Sequence, residues 1–144
     1  MTSLKGFAGL VLGVVLGASP AFANVTHIVA FKYKASATSA QKADFAQRFF
    51  ALRDSARRNG QRYIVSITGG RESSREGFDQ GVEQIFVVTF KTADDRDYFV
   101  GKPYRDAPDP AHGALMPVVM SMIDQDAAGK PTIFVLDYDD IAAP

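Results

Sequence analysis

The chain has 144 residues, with 16 Lys or Arg against 16 Asp or Glu, two histidines and no cysteine. The neutral balance lacks the basic excess of a nucleic-acid binder, and the missing thiols exclude disulfides, thiolate metal sites and a cysteine nucleophile. At 47% hydrophobic and 11% aromatic residues, the composition is that of one ordinary globular domain held by packing alone.

Lys5 precedes an apolar Gly/Ala/Leu/Val run from Gly6 to Ala18, then Ser19-Pro20 and Ala21-Phe22-Ala23. A charged start, a short hydrophobic centre and an A-x-A site describe a secretory signal peptide over residues 1–23, cut before Asn24. The run is shorter than the ~20 apolar residues a membrane span needs, and no later segment is long enough. The expectation is an exported protein, periplasmic or secreted, whose domain occupies residues 24–144 with no membrane span after cleavage.

Val25 to Tyr33 is β-branched and aromatic and predicts a strand. Val25, His27, Val29, Phe31 and Tyr33 share one face, and Thr26, Ile28, Ala30 and Lys32 the other. Both faces hold apolar residues, as in a strand covered on both sides. Thr38 with Gln41 fits a capping box, and Phe45, Phe49, Leu52 and Ala56 then recur at helical spacing. Asn59-Gly60 is the expected left-handed stop of that helix.

Tyr63 to Thr68 predicts a second strand ended by Gly69-Gly70, Arg71 to Gln80 a polar loop, and Val82 to Phe90 a third, largely buried strand. Thr92 caps a short helix with Asp94 and Asp95 in its first turn, where acidic groups complement the helix dipole. That helix carries Tyr98 and Phe99 and stops at Gly101. Pro103, Pro108 and Pro110 keep the next segment irregular. Asp109 then caps, and Pro110 opens, a helix bearing His112, Leu115, Val119 and Met122, which Pro117 should kink or restart. The run T-I-F-V-L-D-Y after Pro131 is a last strand before an acidic tail.

The order β-α-β-β-α(-α)-β predicts an α+β, ferredoxin-like subunit with an antiparallel four-stranded sheet and helices on one face. The second face needs cover. A two-fold dimer that stacks two sheets into a barrel supplies it most simply; the alternative is that helices and loops of one subunit absorb both faces.

For chemistry, no H-x-x-x-H or H-E-x-x-H spacing exists, so no metal site is expected. Asp137, Asp139 and Asp140 lack the glycine and terminal glutamate of a calcium loop and read as a solvated tail. No G-x-S-x-G elbow, P-loop or dinucleotide fingerprint appears, and no cofactor is expected. What remains is an aromatic-lined cavity with polar groups drawn from His27, Tyr63, Tyr98, Tyr104 and His112. His27 is either a core histidine satisfied by a backbone carbonyl or a base or acceptor for a phenolic or enolic ligand.

Several segments resemble the stress-responsive A/B barrel (Dabb) domain in order and spacing. They are His27-Ile28-Val29, Phe31-Lys32, Thr38 with Gln41-Lys42, Gly69-Gly70, Glu76-Gly77, Val88-Thr89-Phe90, Asp97-Tyr98, Pro110-Ala111-His112 and Phe134 to Tyr138. The resemblance covers nearly all of residues 24–144. It implies a dimeric α/β barrel, hence a homodimer, with a pocket for a small apolar, aromatic or polyketide-like molecule and no metal or cofactor. Plant polyketide cyclases of this family close a poly-β-keto acid by aldol condensation with a tyrosine and a histidine.

Carried over, Tyr98 matches the family tyrosine, His27 helps line the pocket, and Val29, Phe31, Phe45 and Phe49 form its apolar wall. The family histidine follows its tyrosine by six residues, where this chain has Tyr104; the Pro-Ala-His triplet selects His112 instead. As a catalytic pair, His112 would take a proton α to a carbonyl and Tyr98 would bond the enolate. As packing residues, both would fill space between helix and sheet. Three functions stay open: a ligand-binding, stress-related protein, a cofactor-free cyclase or lyase, and a monooxygenase of the same barrel superfamily.

Overall fold

The computed structural model describes residues 24–140; the expected signal peptide at 1–23 lies outside the described residues. The elements are β1 (Val25–Phe31), α1 (Ser39–Ser55), β2 (Ile64–Arg71), β3 (Gln84–Phe90), α2 (Ala93–Val100), α3 (Pro110–Met122) and β4 (Ile133–Asp139). The strands form one antiparallel sheet in the order β2-β3-β1-β4, with the three helices on one side. This is the ferredoxin-like arrangement.

The helix starts follow from their caps. Thr38 Oγ1 accepts from the Gln41 amide at 3.2 Å while Gln41 Oε1 accepts from the Thr38 amide at 2.8 Å, closing the box that opens α1. Asp109 accepts from the amides of Ala111 and His112 at 2.7 and 3.1 Å, and Pro110 stands where no amide bond is needed. The third cap, Thr92, holds the Asp95 amide at 3.1 Å.

Three local features differ from the sequence reading. First, α1 ends at Ala56, and Asn59-Gly60 form instead a tight turn with φ of 51° and 77° between Arg58 and Gln61, which exchange two backbone bonds of 2.9 Å. Second, Gly69-Gly70 do not end β2; they continue its ladder, pairing with Phe86 and Ile85. At Gly69, φ is +153°, and a Cβ would stand 2.2 Å from the Ile85 carbonyl oxygen, so the glycine is there for close strand approach. Third, α3 runs uninterrupted through Pro117: one bond to the Gly113 carbonyl is lost, and burial of Leu115, Val119 and Met122 on either side holds the helix.

The core lies between the helices and the sheet. Phe31, Phe45, Phe49 and Phe86 pack ring against ring at centroid separations of 4.1–6.1 Å, each burial contributing roughly 1.5–3 kcal/mol. Val29, Phe31, Phe45 and Phe49, expected as the wall of an open pocket, are instead closed into this core at 7% exposure or less. Eight buried phenylalanine and tyrosine rings share this helix–sheet core, where close packing of side chains is the rule.

The other face of the sheet is uncovered. Ile28 of β1 pairs with Val87 of β3 on one side and Leu136 of β4 on the other, Ala30 likewise with Ile85 and Phe134, and Thr26 with Thr89 and Tyr138; Leu136 is 61% and Tyr138 52% exposed. The helices of one subunit therefore do not absorb both faces. Among the described residues no helix is long and apolar enough to cross a membrane.

Candidate functional site

Alternation along β1 sends the His27 side chain to the helix side, and the antiparallel register sets Asp137 of β4 directly beside it. His27 Nδ1 lies 2.7 Å from Asp137 Oδ1. The second oxygen, Oδ2, accepts from Arg96 Nη1 of α2 at 3.0 Å, and Arg96 Nε donates to Asp97 at 2.7 Å. Tyr104 lies on the outer side of the guanidinium, 4.2 Å from it. The result is a chain His27–Asp137–Arg96–Asp97 in which each charge has an opposite charge within bonding distance. The Arg96 side chain is 12% exposed and that of Asp137 23%, so these bonds are far less screened than surface pairs.

His112 enters the same region from the first turn of α3. Its ring stacks on Phe99 at 4.0 Å, and its Nδ1 is 2.8 Å from the Phe99 carbonyl oxygen. A carbonyl can only accept, so Nδ1 carries the hydrogen and Nε2 a bare lone pair. The same argument applied to the carboxylate of Asp137 puts the hydrogen of His27 on Nδ1. No hydrogen bond to either Nε2 is formed among the described residues.

Both imidazoles are held neutral. Burial pushes His112 down to about 4, against the pull of the Phe99 carbonyl, and protonating His27 as well would add to the depression. Burial also lowers His27, with the Asp137 hydrogen bond opposing it. Phe99 touches both rings, stacking on His112 and presenting an edge to His27 at 6.3 Å. Two neutral acceptors on an aromatic bed can receive the O–H or N–H of a ligand, or take its proton.

Tyr98 faces elsewhere. Its hydroxyl donates to the Arg57 carbonyl at 3.1 Å, its ring meets Tyr63 at 5.4 Å, and the Arg58 guanidinium lies over it. One helical step of about 100° separates Tyr98 from Phe99, which is why the neighbour and not Tyr98 reaches His112. No hydrogen bond joins Tyr98 to either histidine among the described residues. Tyr104 is 46% exposed and sits outside Arg96. The structure thus gathers His27 and His112 around Phe99, with Tyr98 and Tyr104 outside that cluster.

Two members of the network were not apparent in the sequence, Asp137 and Arg96. Asp137 is not part of a solvated tail, since it lies within β4 and bonds two side chains. The available signal was a carboxylate at a helix-side position near the end of a largely apolar strand.

A family model described as the stress responsive A/B barrel domain matches residues 25–140. An Arabidopsis thaliana protein of known structure is similar at 18% identity and a TM-score of 0.63, over 83% of this chain and 98% of that one. The hydroxynitrile lyase from Passiflora edulis is similar at 17% identity and a TM-score of 0.59, over 85% and 97%. A dimeric ferredoxin-like protein of unknown function from Bacteroides fragilis is similar at 19% identity and a TM-score of 0.55, over 81% and 96%. At these identities the likeness is one of fold. No curated protein matches the chain.

Proposed function

The chain belongs to the stress responsive A/B barrel domain family, and from that premise we propose that it is an exported homodimer that binds a small, largely apolar or aromatic ligand through a hydroxyl. The observation that carries this reading is the pair of neutral imidazoles, His27 and His112, whose Nε2 lone pairs accept no hydrogen bond among the described residues. Asp137 and Arg96 orient the first ring, and the Phe99 carbonyl orients the second. A ligand O–H can donate to either lone pair, and a hydrogen bond formed in this poorly hydrated region is less screened than one in water. Both histidines are less than one-tenth exposed, so a ligand larger than water requires neighbouring side chains to move aside. The uncovered apolar sheet face and the dimeric neighbours support the homodimer; the residue pattern at 1–23 supports export.

The test is a calorimetric titration of the protein with 4-ethylphenol and with its methyl ether, which lacks the donor. The phenol should bind at least tenfold more tightly, and His27→Ala and His112→Ala should each abolish that preference. Equal affinity for phenol and ether, or a preference that survives both variants, refutes the reading.

A second reading rests on the Asp137–His27 pair, which has the geometry of an oriented general base; that the fold is shared with a hydroxynitrile lyase is consistent with acid–base chemistry. In this reading His27 Nε2 takes a proton α to a carbonyl, and Asp137 stabilises the imidazolium. Deuterium wash-out from an acetoacetate ester should then be faster with the protein than with His27→Ala. Equal rates reject catalysis and leave binding.

A further inference from the structure

We infer that the opposite end of the sheet holds a second binding site, independent of the histidines, for a small aromatic or short-chain monocarboxylate. A cavity of about 500 Å³ opens there between the start of α1 and the ends of β1, β2 and β3. Its floor is Gln84, which is only 7% exposed. The buried Tyr33 hydroxyl donates to Gln84 Oε1 at 2.5 Å. That bond fixes the amide orientation and turns Nε2, with two hydrogens and no protein partner among the described residues, toward the cavity.

Antiparallel register sets Arg71 directly across from Gln84, and cross-strand neighbours lie ~5 Å apart at Cβ. The charges of the lining sort by partner. Lys42 is bonded to Glu83 at 2.6 Å, and Glu72 accepts from the Ser74 amide at 2.5 Å. Arg71 has no ion pair among the described residues. One unpaired guanidinium beside one unpaired primary amide forms a donor set matched to the two oxygens of a planar carboxylate.

The remaining wall selects further. Tyr33, Ala43 and Val82 give it an apolar side, suited to a ring or short alkyl body. Two cations and two carboxylates, Lys42 and Arg71 with Glu72 and Glu83, leave the lining formally neutral, which disfavours a dianion such as phosphate more than a monoanion held by the Arg71 guanidinium. His27 and Tyr33 are six residues apart on near-extended chain, roughly 20 Å, so the two sites do not share a ligand of this size.

The test uses the full chain and benzoate as probe, with benzamide and inorganic phosphate as comparators. Benzoate should bind saturably, shift the side-chain amide resonances of Gln84, and bind at least tenfold more tightly than benzamide or phosphate. Arg71→Gln, a surface change at an exposed position, should reduce benzoate affinity at least tenfold with no change in thermal midpoint. Benzoate should not displace 4-ethylphenol. The inference is overturned if benzamide or phosphate binds as well as benzoate, if Arg71→Gln is without effect, or if benzoate shifts histidine resonances instead of Gln84. Failure of phenol binding with intact benzoate binding would overturn the histidine reading and leave this one standing.

Discussion

Replacing Asp137 with alanine tests whether the His27–Asp137–Arg96 chain holds the site together. The substitution removes two charge-assisted bonds, of 2.7 Å to His27 and 3.0 Å to Arg96. Bonds to a charged group contribute about 1.5–3 kcal/mol each, less the cost of having desolvated the carboxylate. Arg96 keeps Asp97 as a partner, so its charge is not left bare, and a net loss of about 2–3 kcal/mol is expected. For a domain of this size that corresponds to a thermal midpoint lower by roughly 10 °C. Asp137→Asn, which preserves an acceptor for the His27 N–H and removes the charge, should cost about half as much. The assay is thermal and urea unfolding followed by circular dichroism, with nitrogen NMR of the His27 ring. Wild type should show the hydrogen on Nδ1, and the alanine variant a mixture of tautomers. Destabilisation under 0.5 kcal/mol, or a wild-type ring carrying its hydrogen on Nε2, refutes the argument.

His112 makes stability depend on pH. Its folded value of about 4 lies below the ordinary 6.5, so the unfolded chain binds the extra proton between those limits and stability falls as pH drops from 6.5 toward 4. The loss is on the order of 3 kcal/mol at the acid end, and His112→Asn, which keeps a donor for the Phe99 carbonyl, should flatten most of that slope in urea titrations at pH 5 and 7. Gly69→Ala forces a methyl onto the Ile85 carbonyl and should destabilise by about 2–4 kcal/mol, whereas Gly70→Ala, with nothing within 4 Å, should change the urea midpoint little. Leu136→Glu places a charge on the uncovered face of β4 and should convert the dimer to monomer in sedimentation velocity; a variant that stays dimeric refutes that face as the interface.

The element order was legible because its signals are local. Capping residues at Thr38, Thr92 and Asp109, phenylalanines at helical spacing and β-branched runs all act within one or two turns of chain. The misread positions were those decided by a partner distant in sequence. Gly69-Gly70 signals a turn to a local reading, and only the proximity of the Ile85 carbonyl shows that it continues a strand. Val29, Phe31, Phe45 and Phe49 are apolar whether they line a pocket or close a core, and the difference is the side-chain volume delivered by β3 and α1 together. Asp137 bonds a residue 110 positions away, so no spacing rule could join the two. Tyr98 and Phe99 are adjacent in the chain, and which of them meets His112 depends on the rotation of α2 against the sheet.

The two ends of β1 differ in what they can receive. Both histidines spend their ring hydrogen on an internal acceptor, a carboxylate for one and a carbonyl for the other. Their free atoms are therefore lone pairs, backed by the negative charge of Asp137, and an anion placed there meets repulsion without a donor. A neutral O–H meets the opposite situation and can donate to one of the two lone pairs. Near Tyr33 the pattern reverses: the internal bond consumes the acceptor of Gln84 and leaves its donors outward, beside an unpaired guanidinium. The same rule, that the group satisfied within the fold determines what the remaining group offers, makes one end of the strand accept hydrogen and the other end give it.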